Sequence, residues 1–275
     1  MKKLFVLFAL IMSQAQATEI TILNEGNPQS PTTVFGHAFR NAIKGEVKWE
    51  QATSCRDAQA KFRRIKNAVL IYNTSNDFAD RTANNPCEFD RFTAGNTVII
   101  TSMPMKICRA VGNKKPINDS KVTLGLASMV ATKKHEADWN SNGLNIRFVP
   151  YGGSAGVVTA TINQEVDYGW IGSPLASKQE RDGKLECLYS TDPKSPKFLG
   201  KQFKLSVPDF EIITLAYTNS TDPAVLARLR DAAKNPEFVS WLAASDTTGN
   251  SNPTEQDLMR VNNFVSKLIN SWASQ

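Results

Sequence analysis

Ile146-Arg-Phe-Val-Pro150-Tyr151-Gly152-Gly153-Ser154-Ala-Gly156-Val-Val158 is the stretch on which the reading of this sequence turns. Asn145 to Pro150 reads as a strand, Gly152 to Gly156 as a turn, and Val157 to Gln164 as a helix. A strand that enters a helix through a glycine-rich turn is the building unit of an α/β sheet, where such turns gather at the carboxyl ends of the strands and hold ligands. The turn also spells G-x-S-x-G, the pattern of a nucleophile elbow with Ser154 as nucleophile. A hydrolase of that kind takes its base from a histidine after the serine, whereas His37 and His135 both precede Ser154 and no His-Gly-Gly loop is present. The other reading is an anion cradle, in which glycines let the backbone approach a ligand. Ser154 then caps a helix whose first N–H groups carry partial positive charge.

Working outward, Glu19 to Asn24 alternates like a strand, and Ser30-Pro31 is an N-cap followed by a tolerated first-turn proline. Val34, Phe35, Ala38, Phe39, Ala42 and Ile43 then share one helical face, from which His37 is displaced to the surface. Val47 to Trp49 as strand, Arg56 to Lys66 as helix and Ala68 to Tyr72 as strand complete an alternation that predicts a parallel sheet covered by helices. Asn73 to Asn96 reads as an irregular excursion. Thr97 to Thr101 and Lys106 to Val111 read as two strands broken at Met103-Pro104, and Lys121 to Leu126 as a third.

A helix containing Met129 to Ala137, the strand Tyr168 to Ile171, a helix to about Asp182 and the strand Leu185 to Ser190 follow the same rhythm. Beyond the connection 193–208 come the strand Phe210 to Tyr217 and a helix from Asp222-Pro223 to Lys234. The helices Pro236 to Ala244 and Thr254 to Trp272 close the chain, the last with Thr254 and Asp257 as a capping box. Three further strand-to-helix turns resemble the first: Thr32-Thr33, Ala127-Ser128 and Gly172-Ser173. Each hydroxyl there reads equally as a helix cap or as a ligand contact. Trp170 falls within a strand and reads as core, and Asp167, in a turn before that strand, as a backbone acceptor.

Lys2 and Lys3, the apolar run Leu4 to Met12 and Ala15-Gln-Ala17 form a signal peptide, residues 1–17, cleaved before Thr18. Export to the periplasm follows, with no spanning segment and no acylatable cysteine at the cleavage point. The chain has 275 residues and a net charge of +6, and loss of Lys2 and Lys3 leaves +4 without a basic run. That is too diffuse for nucleic acid and compatible with a small anion. Cys55, Cys87, Cys108 and Cys187 read as two disulfides in an exported protein, since no pair has the spacing of a zinc knuckle. Three pairings exist; sequence order, Cys55 with Cys87 and Cys108 with Cys187, is the first expectation. No metal and no cofactor are expected.

The second half carries a resemblance to a known family. Lys121-Val-Thr-Leu-Gly125, Val149-Pro-Tyr-Gly-Gly153, Ala155, Val157, Val166-Asp167 and Gly183-Lys-Leu185 resemble the Bug or TctC solute receptors of tripartite tricarboxylate transporters. So do Asp222-Pro-Ala-Val-Leu226 and Asn235-Pro-Glu-Phe238. The resemblance implies a type II periplasmic binding protein, with two α/β lobes, a hinge and a central ligand cleft. One lobe would be 18–108 plus 212–275 and the other 109–211.

It also implies a monomeric, non-enzymatic receptor that takes a small carboxylate or other anionic solute to integral membrane transporter subunits. The same fold used as a sensor or scavenger is the alternative. Carried over by position, the ligand would meet Thr32, Thr33, Ala127, Ser128, Tyr151, Gly152, Gly153, Ser154, Gly172 and Ser173. The sequence departs from the family in its first loop, Glu25-Gly-Asn-Pro-Gln-Ser30, which lacks the aspartate that meets an amino group. Gly112 to Ser120 also leaves no room for the helix after the crossover.

Overall fold

The computed structural model describes residues 18–25, 28–74, 92–127, 132–203 and 211–273, so the signal segment lies outside the described residues. Ten strands form one mixed sheet. β1 (Ile20–Asn24), β2 (Val47–Gln51) and β3 (Ala68–Asn73) are parallel, with Ile20 opposite Val47 and Thr21 opposite Ala68. β5 (Val122–Leu126), β6 (Ile146–Pro150) and β7 (Tyr168–Gly172) form a second parallel set. Between the sets run β4 (Thr97–Ala110) and β9 (Glu211–Thr218), giving the order β2-β1-β3-β9-β4-β7-β5-β6.

β4 is one 14-residue strand, which corrects the expectation of two strands broken at Met103-Pro104. From Thr97 to Pro104 it pairs with β9, and β10 (Thr248–Asn250) pairs alongside at Ile100 to Ser102. From Met105 onward its partners are β7 and β8 (Leu185–Ser190). Pro104 therefore stands where the strand exchanges neighbours, and its missing N–H interrupts neither ladder midway.

The helices are α1 (Pro31–Ala42), α2 (Cys55–Arg64), α3 (Thr132–Ser141), α4 (Ser154–Ile162), α5 (Ser173–Arg181), α6 (Leu199–Phe203), α7 (Pro223–Ala233), α8 (Pro236–Ala244) and α9 (Glu255–Ala273). Their starts follow local chemistry. Ser30 Oγ accepts from Thr33 N at 3.1 Å, Asp222 from Ala224 N at 2.8 Å, and Asn235 from Glu237 N at 2.8 Å, each followed by a first-turn proline. Thr254 and Asp257 close the expected reciprocal box, with Thr254 N donating to Asp257 Oδ2 at 2.9 Å and Asp257 N to Thr254 Oγ1 at 3.3 Å. The short helix α6 lies in the connection 193–208, to which the sequence reading gave no helix or strand. Trp139, which the sequence places in a helical or loop context without a site partner, is fully buried on α3.

Alternation along each strand splits the apolar residues between two faces. Ile22, Ile71 and Ile212 meet Phe35 and Phe39 of α1 with Leu229 and Phe238 of α7 and α8, while Leu23, Leu70 and Leu215 meet Phe62 of α2 with Leu258 and Val261 of α9. The second half of the sheet has its own pair of cores. Trp170 packs with Trp139 and Phe148, ring centroids 5.5 and 6.2 Å away, and Ile171 faces Val157 of α4 and Leu175 of α5. Trp170 is thus core, as its strand position predicts.

Cys108 and Cys187 sit opposite each other on β4 and β8 and are joined by a disulfide. Cys55 is also disulfide-bonded, and its expected partner Cys87 lies outside the described residues.

Asp167 ties β5 to the turn before β7: its Oδ2 accepts from Thr123 N at 2.8 Å, Thr123 Oγ1 at 2.9 Å and Lys115 Nζ at 2.9 Å. Burial pushes this carboxyl up, but the Thr123 N–H, the Lys115 ammonium and the Thr123 hydroxyl together hold it below the usual carboxylate range. A lowered folded value means that the stabilisation is fully present above the unfolded carboxylate pKa and is lost as pH falls through the folded one. Asp167→Asn should therefore cost about 2 kcal/mol at neutral pH. Urea melts of the two proteins should converge as the pH is lowered below about 4; a gap independent of pH would contradict this account.

Candidate ligand site

The carboxyl ends of β1 and β3 are polar where the strands are otherwise apolar. Asn24 and Asn73 end β1 and β3 and are buried at 0% and 6% exposure. Both reach up to the first turn of α1: Asn24 Nδ2 donates to Thr33 Oγ1 at 2.7 Å, and Asn73 Nδ2 donates to Thr32 Oγ1. Thr32 and Thr33, the first two predicted contacts, are thus buried and their hydroxyls are engaged by the sheet. Thr214 on β9 is the register partner of Asn73; it is fully buried, and its Oγ1 has no hydrogen-bond partner among the described residues.

The third predicted turn comes to the same place from the other half of the sheet. Gly172 ends β7, and a Cβ built on it would stand 2.8 Å from Pro31 Cγ and 3.3 Å from Ile212 Cδ1. Only a residue without a side chain permits this approach. Ser173 is the first residue of α5, fully buried, and its Oγ has no partner among the described residues. It does not cap the helix, because the N-cap is Gly172 and makes no side-chain bond.

The turn Tyr151 to Ser154 is arranged differently from expectation. Helix α4 begins at Ser154, and the N-cap is Gly153, whose φ of 155° is one that side-chain-bearing residues rarely adopt. Ser154 is therefore a first-turn residue and not the cap, since the cap position demands a backbone only glycine supplies. Gly152 is exposed, and Gly153 and Ser154 are half-buried. The Tyr151 ring folds back over Gly125 and Gly156, where added Cβ atoms would lie 3.1 and 3.4 Å from ring and Cβ atoms of Tyr151. Burial, with the charge of Glu165, pushes its phenol up. Ala127 packs against the same core as Tyr151, and Ser128 lies outside the described residues.

The helices α1, α4 and α5 have no acidic residue in their first turns. The partial positive charge of each N-terminus is left uncompensated by its own helix. Asn24, Asn73, Thr32, Thr33, Ser173 and Thr214 are all neutral donors or acceptors, so the α1–α5 junction suits an anion through dipoles and hydroxyls. Among the described residues no group of three histidines, cysteines or carboxylates could hold a metal. Asn24, Asn73 and Thr214 carry no site role in the sequence reading. The polar last residue of an otherwise apolar strand was the signal for the first two.

Ser154 has no base from His37. That imidazole lies exposed on α1, stacked on Trp49 of β2 at a centroid distance of 4.0 Å, while Ser154 follows β6 at the opposite end of the sheet. The His135 side chain lies outside the described residues.

Two parallel α/β units joined through antiparallel crossing strands, with helix N-termini turned on the junction, are the fold of type II periplasmic binding proteins. Solved structures bear this out over more than nine-tenths of the chain. The periplasmic binding protein BugD is similar with a TM-score of 0.64 at 14% identity, covering 93% of this chain and 95% of its own. An R. palustris protein solved with adipate gives 0.63 at 14% identity, covering 94% and 96%. MatC from Rhodopseudomonas palustris, solved with bound malate, gives 0.60 at 13% identity, covering 93% and 98%. The chain therefore shares the fold of the TctC and Bug binding proteins. No protein-family model and no curated protein matches the sequence. No helix among the described residues is long and apolar enough to cross a membrane.

Proposed function

We propose that this protein is an exported, periplasmic receptor that captures a small carboxylate between two lobes, residues 18–108 with 212–275 and residues 109–211, and delivers it to a membrane transporter. The observation that carries this reading is the meeting of the α1 and α5 N-termini across the two halves of the sheet, with the Ser173 hydroxyl buried there without a partner. A carboxylate between them would satisfy that hydroxyl and face the positive ends of both helix dipoles. The adipate and malate held by two proteins of the same fold agree in chemical class. The ligand stabilises the closed form because only there do both lobes contact it. Ser154 acts as an anion-facing backbone position and not as a nucleophile.

The test is a thermal-shift screen of di- and tricarboxylates that includes malate and adipate. A true ligand at 100 times its dissociation constant should add about 2.7 kcal/mol of stability. If no member of a broad anion set moves the melting temperature, the receptor reading is wrong.

A further inference from the structure

Helix α5 belongs to the second half of the molecule and contacts the first half near both of its ends, which are held in different ways. Its first turn rests on Pro31 of α1, at the proposed ligand site. Its last turn is fastened at the other side of the crossing strands. Lys106, on β4 two residues beyond Pro104, is mostly buried and places its Nζ 2.5 Å from Asp246 Oδ2, 3.0 Å from Ser177 Oγ and 3.6 Å from Glu180 Oε2. Ser177 and Glu180 belong to α5, whereas Asp246 lies in the turn between α8 and β10. Arg181, the last residue of α5, donates to Ala244 O at 3.1 Å, the final carbonyl of α8. A cation at that carbonyl also meets the negative end of the α8 dipole.

The position of this cluster is what gives it a role. β10 pairs with β4 at Ser102, on the first-half side of Pro104, and Lys106 stands on the second-half side. The link from Lys106 to Asp246 therefore bridges the point where β4 exchanges neighbours. Rotation of one half against the other would alter the Lys106–Asp246 and Arg181–Ala244 distances. Asp246 also adopts a left-handed backbone, φ 49°, which aspartate and asparagine tolerate better than most residues.

We propose that Lys106, Asp246 and Arg181 are positioning residues that form an electrostatic clasp across the hinge, holding α5 so that its N-terminus stays against α1 and favouring the closed form. This rests on the two-lobe reading given above, with the neighbour exchange at Pro104 as the pivot on β4, so that Lys106 moves with the second half. Asp246 is more than half exposed, so the clasp weakens as salt screens it.

The test uses the full mature chain labelled for single-molecule energy transfer at two exposed positions in different lobes, Val111→Cys and Met259→Cys. Asp246→Asn keeps the left-handed preference and removes the charge. It should raise the open-to-closed ratio about threefold to fivefold, the scale of an exposed ion pair, and abolish the salt dependence seen in the parent. Arg181→Met, at an exposed site, should act in the same direction by an independent contact. If the parent opens with salt and both variants follow it unchanged, the clasp is wrong while the two-lobe reading stands. If the parent shows a single distance at every salt concentration and with saturating adipate or malate, hinge motion itself is refuted and the clasp with it.

Discussion

Cys108→Ala combined with Cys187→Ala is expected to lower the unfolding free energy by about 4.5 kcal/mol, the chain-entropy value for a link between residues 79 apart. The two sulfurs join β4 to β8 inside the second parallel unit, and both cysteines are buried against Val157, Ile171 and Leu175. Alanine is the informative replacement because serine would add a buried hydroxyl without a partner. Denaturant melts of the variant, and of the parent with and without reductant, measure the effect. A loss below about 1 kcal/mol would mean that the denatured chain is already held compact in this region. The variant should keep its ligand preference, because neither cysteine is one of the polar groups at the α1–α5 junction.

Gly172→Val should separate closure from folding. Gly172 has φ −58° and ψ 137°, which any residue adopts, so the substitution strains no backbone. The obstacle is the Pro31 ring, 2.8 Å from where the new Cβ must stand, and a proline ring cannot swing aside. Overpacking of this kind costs about 1–3 kcal/mol. On the two-lobe proposal the strain falls on the closed arrangement alone, since opening would relieve it. Binding should weaken by about tenfold to a hundredfold, since each 1.4 kcal/mol is a factor of ten, with the unliganded melting temperature nearly unchanged. Equal losses in melting temperature and affinity would place the Pro31 contact inside a rigid body instead.

The local features of this fold were legible because they are written in adjacent residues. Ser30-Pro31 and Asp222-Pro223 fix helix starts through capping and proline geometry, and Pro236 to Ala244 has the bounds its sequence predicts. What failed depends on partners far away in the chain. Met103-Pro104 looks like a break because proline ordinarily ends a ladder; only the exchange of β9 for β7 at that point makes it tolerable. Ser154 was read as a cap because serine prefers that position, yet the backbone required there belongs to glycine.

The site divides along the same line. Gly172 and Ser173 were proposed from their place after a strand, and Thr32 and Thr33 from their place at the start of a helix. Their neighbours Asn73 and Thr214 are joined only by a cross-strand register between residues distant in sequence. No local pattern marks such a pair.

The placement of β9 beside β3 bears on how the chain assembles as it is made. Ala68 N, at the start of β3, donates to Asn219 Oδ1 just past the end of β9, across 151 positions of sequence. Emerging amino-terminus first, β1, β2 and β3 have an unfilled sheet edge until nearly four-fifths of the polypeptide has appeared. Contacts of such long range are slow to form, because the intervening loop must be closed before they reward it. The early segment thus stays loosely organised during synthesis, and the last quarter of the chain completes the sheet that the first quarter begins.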